Sequence, residues 1–224
     1  MLHAAINGTR TRAEHPAVPI TFADQATEAR ASVAAGAEAI HVHVCDEHGN
    51  ESLAPGDVAK AIEAIRAECP GIPVGISTGA WIVPDLRRRL AVIRSWRTLP
   101  DFASVNLHEA GAAQVMELLL ELGIGVEAGI WNAPAAVSLV RSGLADKCVH
   151  VLLEPAEASC SARANLLQME GVLVGVSSGA NMVAALNVAK TLKEGVVVTI
   201  LADSAAKYLS ESFWTDTGDA EIWP

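Results

Sequence analysis

The chain has 224 residues, 51% of them hydrophobic and only 19% charged, which is enough apolar mass for a sizeable core and excludes a disordered polymer. A net charge of −10 opposes a nucleic-acid partner, because phosphate contact needs a basic face. Four widely spaced cysteines (Cys45, Cys69, Cys148, Cys160) form no CxxC pair, so they read as reduced thiols of a cytoplasmic protein.

From Met1 to Gly8 the chain lacks the basic and apolar regions of a signal peptide. Short β-branched runs then alternate with Ala/Leu-rich stretches of helical spacing. The pattern predicts strands at His3–Asn7, Ala39–Val44, Pro73–Ser77, Phe102–Leu107, Gly125–Ile130, Val149–Glu154, Val172–Val176 and Val196–Leu201. Helices are expected at Thr21–Ala35, Pro55–Ala67, Pro84–Ser95, Ala110–Leu122, Ala133–Ser142, Ala180–Lys193 and Ser204–Leu209. Thr21 followed by Asp24 is an N-cap signal, and Pro84-Asp85 suits a first helical turn. Gly171 to Ala189 carries no charge, but the Ser177-Ser178-Gly179 turn interrupts it. It reads as strand, turn and helix rather than a membrane span.

Eight strands alternating with helices fit a (β/α)8 barrel or a doubly wound open sheet. A barrel usually takes about 250 residues, slightly more than this chain has. No linker or low-complexity segment divides residues 1–224, so one domain is expected.

The strongest local feature is Ile40-His41-Val42-His43-Val44. Residues two apart on a strand share a face, so His41 and His43 project side by side. Two neutral imidazoles at that spacing make zinc ligands, with a carboxylate and water completing a tetrahedron. A pair of wet surface histidines is the alternative. Other strand ends carry polar groups that a barrel would gather at one mouth: Asn7, Ser77-Thr78-Gly79, Asn106 and His108, Glu127 and Glu154. A carboxylate in an apolar strand, as at Glu127, is costly unless paired or metal-bound. Structural pairing of Glu127 or Glu154 with Arg10 or Arg12 is equally compatible with the residues. Asp46-Glu47-His48-Gly49-Asn50 reads as a polar turn rather than a metal loop.

The segments Ala5-Ile6-Asn7-Gly8, Glu14-His15-Pro16-Ala17-Val18-Pro19, His41-Val42-His43, Pro73-Val74-Gly75-Ile76-Ser77-Thr78-Gly79-Ala80-Trp81 and Pro100-Asp101-Phe102-Ala103-Ser104-Val105-Asn106-Leu107 occur in order. Together with Gly125-Val126-Glu127-Ala128-Gly129 and Leu153-Glu154-Pro155, they resemble the β-keto acid cleavage enzymes, typified by 3-keto-5-aminohexanoate cleavage enzyme. The resemblance covers residues 1–157. It implies a (β/α)8 barrel, a divalent metal, usually zinc, on His41 and His43, and acyl-CoA-dependent cleavage of a β-keto acid. On that basis Ser77, Asn106 and Glu127 are candidate catalytic residues. The substrates would be small molecules, a β-keto acid and an acyl-CoA, with self-association left open.

After Glu157 the family's Gly-Leu-Glu-Asp-like motif, which closes the metal site on the eighth strand, has no counterpart. Asp203 stands at the equivalent strand end, one methylene shorter. Instead, Glu170–Ala180, Val196–Ser204 and Lys207–Ser210 resemble the C-terminal part of cysteine synthases, which use pyridoxal phosphate. There the first serine of the Ser-Ser-Gly turn, here Ser177, would bind the cofactor's pyridine nitrogen. The Schiff-base lysine has no match, so pyridoxal-phosphate chemistry is not expected. The two likenesses imply a chimera, more economically engineered than natural, joined within residues 158–168. Six βα units would come from one family and two from the other. Zinc binding with impaired or absent catalysis is the leading expectation, and a catalytically inert scaffold is its rival.

Overall fold

The computed structural model describes residues 2–153, together with 181, 184–186, 188–192, 194 and 196–200. The chain folds as two compact units, Met1–Ala128 with Ser138–Val149, and Gly129–Val137 with His150–Pro224.

In the first unit, strands alternate with helices: β1 (His3–Ala5), α1 (Phe22–Ala34), β2 (Ala39–Val42), α2 (Pro55–Glu68), β3 (Val74–Ser77), α3 (Leu86–Arg94), β4 (Phe102–Asn106), α4 (Ala112–Glu121) and the start of β5 (Gly125–Ile130). Neighbouring strands pair in parallel, with His3 opposite Ala39, Ile40 opposite Val74 and Gly75 opposite Phe102. Helices α1, α2 and α4 pack against the sheet, and α3 packs against α4. On α2, Val58, Ala61, Ile62 and Ile65 recur at helical spacing and are fully buried. They meet an outer sheet face on which Ile40, Val42, Val74 and Ile76 are likewise fully buried. Side chains of this size contribute about 1.5–3 kcal/mol each on burial, so this layer dominates the unit's stability.

Local signals explain the element boundaries. The Thr21 hydroxyl accepts from Asp24 N–H, and the Asp24 carboxylate accepts from Thr21 N–H, a reciprocal capping box. Helix α3 begins at Leu86 rather than Pro84, because Asp85 caps it by accepting from Arg88 N–H at 2.7 Å. β1 and β2 stop short of the expected Asn7 and Val44, because the Asn7 side chain takes over the ladder. It accepts from His43 N–H at 2.9 Å and donates to the His43 carbonyl at 2.7 Å.

The sheet of this unit curls. Four strand spacings would put β1 about 19 Å from β5 in a flat sheet. Instead His3 Nδ1 lies 3.2 Å from Glu127 Oε1 across the concave face.

The second unit holds the end of β5, the start of α5 (Ala133–Ser142) and most of β6 (Cys148–Leu153), with β7 (Val198–Thr199) parallel to β6. Of the expected 180–193 helix, residues 181, 184–186 and 188–189 are helical, whereas 190–192 already lie beyond its end. Two expectations are corrected. The last predicted strand, Val196–Leu201, was to be the eighth and to close a barrel against His3–Asn7. Its described part instead pairs with β6 in seventh place, and no described pairing joins it to β1. Among the described residues the sheet holds seven strands in the order β1 to β7, curled within the first unit, and is not a closed eight-unit barrel. The reason is physical: β-branched runs signal strand propensity, but not which sheet edge a strand will occupy. Val172–Val176 lies outside the described residues. No helix among the described residues is long and apolar enough to cross a membrane.

Candidate metal centre

Period two on β2, continued one residue past its end, sends Ile40 and Val42 outward into the helical layer, and His41 and His43 to the concave face. The two rings sit edge to face with centroids 5.5 Å apart, and each side chain is only 12–13% exposed. The sequence expectation for their direction holds.

His43 is held on every side. Its N–H is taken by Asn7, and its carbonyl accepts from Asn7 Nδ2, from Gln25 Nε2 at 3.1 Å and from Cys45 Sγ at 3.6 Å. Its ring nitrogen Nδ1 lies 3.0 Å from Glu51 Oε2, which also accepts from Trp81 Nε1 at 3.0 Å. The indole of Trp81 stacks on the imidazole, centroids 6.1 Å apart and 23° between planes.

His41 has a different setting. Glu127 Oε2 stands 3.7 Å from its Nδ1, which is buried without a hydrogen bond. Phe102 supplies an apolar wall to both His3 and His41, with centroid separations of 5.5 and 6.5 Å. Its ring lies flat over Gly75, where a Cβ would come within 1.9 Å of it, so only glycine fits opposite. Burial, then the neighbouring His43, pushes the His41 imidazole down to about 4, while the Glu127 charge pulls the other way. His41 is therefore neutral at neutral pH, the form a metal ligand needs.

His41 faces the 1% exposed Glu127 and His43 faces Glu51, and imidazole and carboxylate groups are ligand types a zinc-type ion takes. The unbonded, buried Nδ1 of His41 is the observation that fits a metal here. Pairing of Glu127 with Arg10 or Arg12 does not occur. Arg10 pairs with Glu14 at 3.5 Å and Arg12 with Asp24, whereas Glu127 faces His3 and His41.

The remaining sequence candidates fall into two groups. Ser77 ends β3, 4% exposed, its hydroxyl accepting from Gly79 N–H at 3.4 Å. Asn106 ends β4 and donates to Glu109 Oε1 at 3.0 Å. Glu109 also accepts from Ala80 N–H at 2.8 Å and from the buried Arg89 at 3.0 Å. This network ties the β3 and β4 ends together. The turn reading of residues 46–50 holds, since Asp46 Oδ1 accepts from the His48 and Asn50 N–H groups. Glu154, Ser177 and Asp203 lie outside the described residues.

Sequence reasoning missed His3, Gln25 and Glu51. His3 shares a strand face with Asn7, which was a usable signal; Gln25 and Glu51 carry none. Cys45, whose thiol is pushed up to about 11 by burial and then by Glu51 and Asp46, stays protonated at neutral pH and is no thiolate ligand.

A curled parallel α/β sheet with imidazoles and a buried carboxylate at its strand ends defines a barrel-like α/β protein with a possible His/Glu metal site. The profile of the beta-keto acid cleavage enzyme family matches residues 1–211, and the chain belongs to that family. The match runs through residues 158–168, where the junction of a chimera was expected. A 3-keto-5-aminohexanoate cleavage enzyme of Fusobacterium nucleatum is 40% identical over 90 residues, 39% of this chain and 33% of that protein. A 3-oxoadipate:acetyl-CoA acetyltransferase of Cupriavidus necator is 38% identical over 80 residues, 35% of this chain and 28% of that protein. The chain thus aligns with about a third of the length of the curated relatives it matches. The solved structure of an O-ureido-L-serine synthase covers 88% of this chain and 75% of its own, at 16% identity and a TM-score of 0.29, a likeness too slight to argue from.

Proposed function

We propose that this protein binds zinc through His41 and His43, with Glu127 as the nearby carboxylate, and that it is a β-keto acid cleavage enzyme of impaired turnover. The observation that carries the reading is the pair of inward imidazoles, 5.5 Å between centroids, beside a carboxylate 3.7 Å from His41 Nδ1. A bound divalent ion would supply Lewis acidity to a keto oxygen. The chain's own residues do the rest. Phe102 walls the site beside His41, Asn7 and Gln25 fix the His43 backbone, and Glu127 stands buried beside His41.

The absence of the Gly-Leu-Glu-Asp-like motif from the sequence is the ground for slow chemistry. Ser77 and Asn106 stand at strand ends where they would meet a small substrate, a β-keto acid with an acyl-CoA partner. Residues 1–224 are read as one domain, and the cysteine-synthase-like motif around Ser177 favours a recombined origin for the segment after 158–168.

The test loads the protein with zinc, removes excess by dialysis and measures retained metal, then assays a β-keto acid with acetyl-CoA for a new CoA thioester. The expected result is retained zinc that His41→Ala with His43→Ala abolishes, and turnover far below that of a full-length relative. No retained zinc would refute the metal reading. Turnover equal to the relative's, lost in the double variant, would refute the impairment.

A further inference from the structure

We infer that Glu51 is a positioning residue that locks His43 in the tautomer with its proton on Nδ1, so that Nε2 carries the lone pair offered to a metal. The inference rests on the metal reading of His41 and His43, and the chemistry of the contact forces it. Glu51 Oε2 has two ring nitrogens at 3.0 Å, Nδ1 of His43 and Nε1 of Trp81. An indole N–H can only donate, and an ionised carboxylate can only accept. Oε2 already accepts from the indole N–H, and a ring with its proton on Nδ1 is the neutral arrangement that lets the same oxygen accept from His43 as well. Metal-ligating histidines are oriented in this way, the outer nitrogen donating to a carboxylate while the inner one coordinates.

The clamp is built into the chain. Cys45 and Glu51 form an antiparallel bridge, with Ser52 N–H donating to the Val44 carbonyl at 2.8 Å. Between them Asp46 caps a tight turn that passes through Gly49 at φ +84°. This hairpin returns the chain from His43 and delivers Glu51 beside it. Trp81 completes the clamp from the next strand's loop. It lies over Gly79, where a Cβ would stand 2.3 Å from the indole, and it stacks on the imidazole. Glu51 and His43 side chains are 17% and 12% exposed, so water competes weakly for the bond. His41 has no such partner on its Nδ1.

The experiment uses the full chain, metal-free and 15N-labelled. Long-range 1H–15N correlations of the His43 ring, assigned by their loss in His43→Asn, read the tautomer directly. A zinc titration of each variant follows. In the unaltered protein Nδ1 should give a protonated, pyrrole-type signal and Nε2 a pyridine-type one. Glu51→Ala should mix or invert the tautomers and weaken zinc binding about 10- to 100-fold. Glu51→Gln, whose amide oxygen can still accept, should restore the Nδ1–H form and most of the affinity. A proton on Nε2 in the unaltered protein would overturn the inference, as would Glu51→Ala with tautomer and affinity unchanged. A lock that Glu51→Ala breaks, in a protein that takes up no zinc, would uphold the lock and refute the metal reading alone.

Discussion

His41 on β2 and His43 just past its end are two residues apart and face the same way, yet they are held by opposite means. Polar clamps surround His43: Asn7 and Gln25 grip its backbone, and Glu51 with Trp81 grips its ring. Desolvation surrounds His41: Phe102 walls it, Glu127 stands 3.7 Å off, and its Nδ1 has no hydrogen bond. The difference teaches how one strand end can present a fixed side chain and an electrostatically primed one together. The first is directed by geometry, the second kept neutral by burial.

The contrast breaks most sharply with pH. The folded His41 accepts a proton only near pH 4, whereas the unfolded chain accepts it near 6.5. Between those values the unfolded state binds more protons, so stability falls as pH drops from 6.5 toward 4 and is flat above. The loss should reach on the order of 3 kcal/mol, measured by urea denaturation with chelator present. His41→Asn should remove most of this slope, whereas His43→Asn should leave most of it in place.

Gly75→Ala should be the next largest effect. The new methyl drives into the Phe102 ring at 1.9 Å, and overpacking of this kind costs about 1–3 kcal/mol. The same denaturation at pH 7 checks it, and the His41 ring signals should shift more than those of His43. Asn7→Ala attacks the other half. It removes the partner of His43 N–H while Gln25 still serves the carbonyl, so a loss of about 1–2 kcal/mol is expected. Here the ordering reverses, with the His43 signals shifting more. The smallest effect belongs to a site outside both halves. Thr21→Ala removes the α1 cap and should cost about 1 kcal/mol while leaving both rings undisturbed.

The residues of the sequence foretold some of this arrangement and not the rest. The HxH spacing set the facing of His41 and His43, because strand alternation is local geometry. Glu127 stood out as a lone carboxylate in an apolar run, but its partners lie on β1 and β2, four and three strands away in the sheet. Only the curl of the sheet brings them together, and no pattern along the chain encodes that distance. Glu51 was invisible for a related reason: its function depends on where a hairpin returns, set by Asp46 and Gly49 rather than by Glu51 itself. The strand Val196–Leu201 was legible as a strand but not as the neighbour of β6.

The central claim is that His41 and His43 share a metal. Crystals grown with zinc and measured on either side of the zinc absorption edge test it most directly. The account predicts one strong anomalous peak on the concave face, about 2.0–2.1 Å from an imidazole nitrogen of each histidine, and at His43 that nitrogen is Nε2. A concave face without anomalous signal, or zinc held elsewhere with both histidines bare, would contradict it.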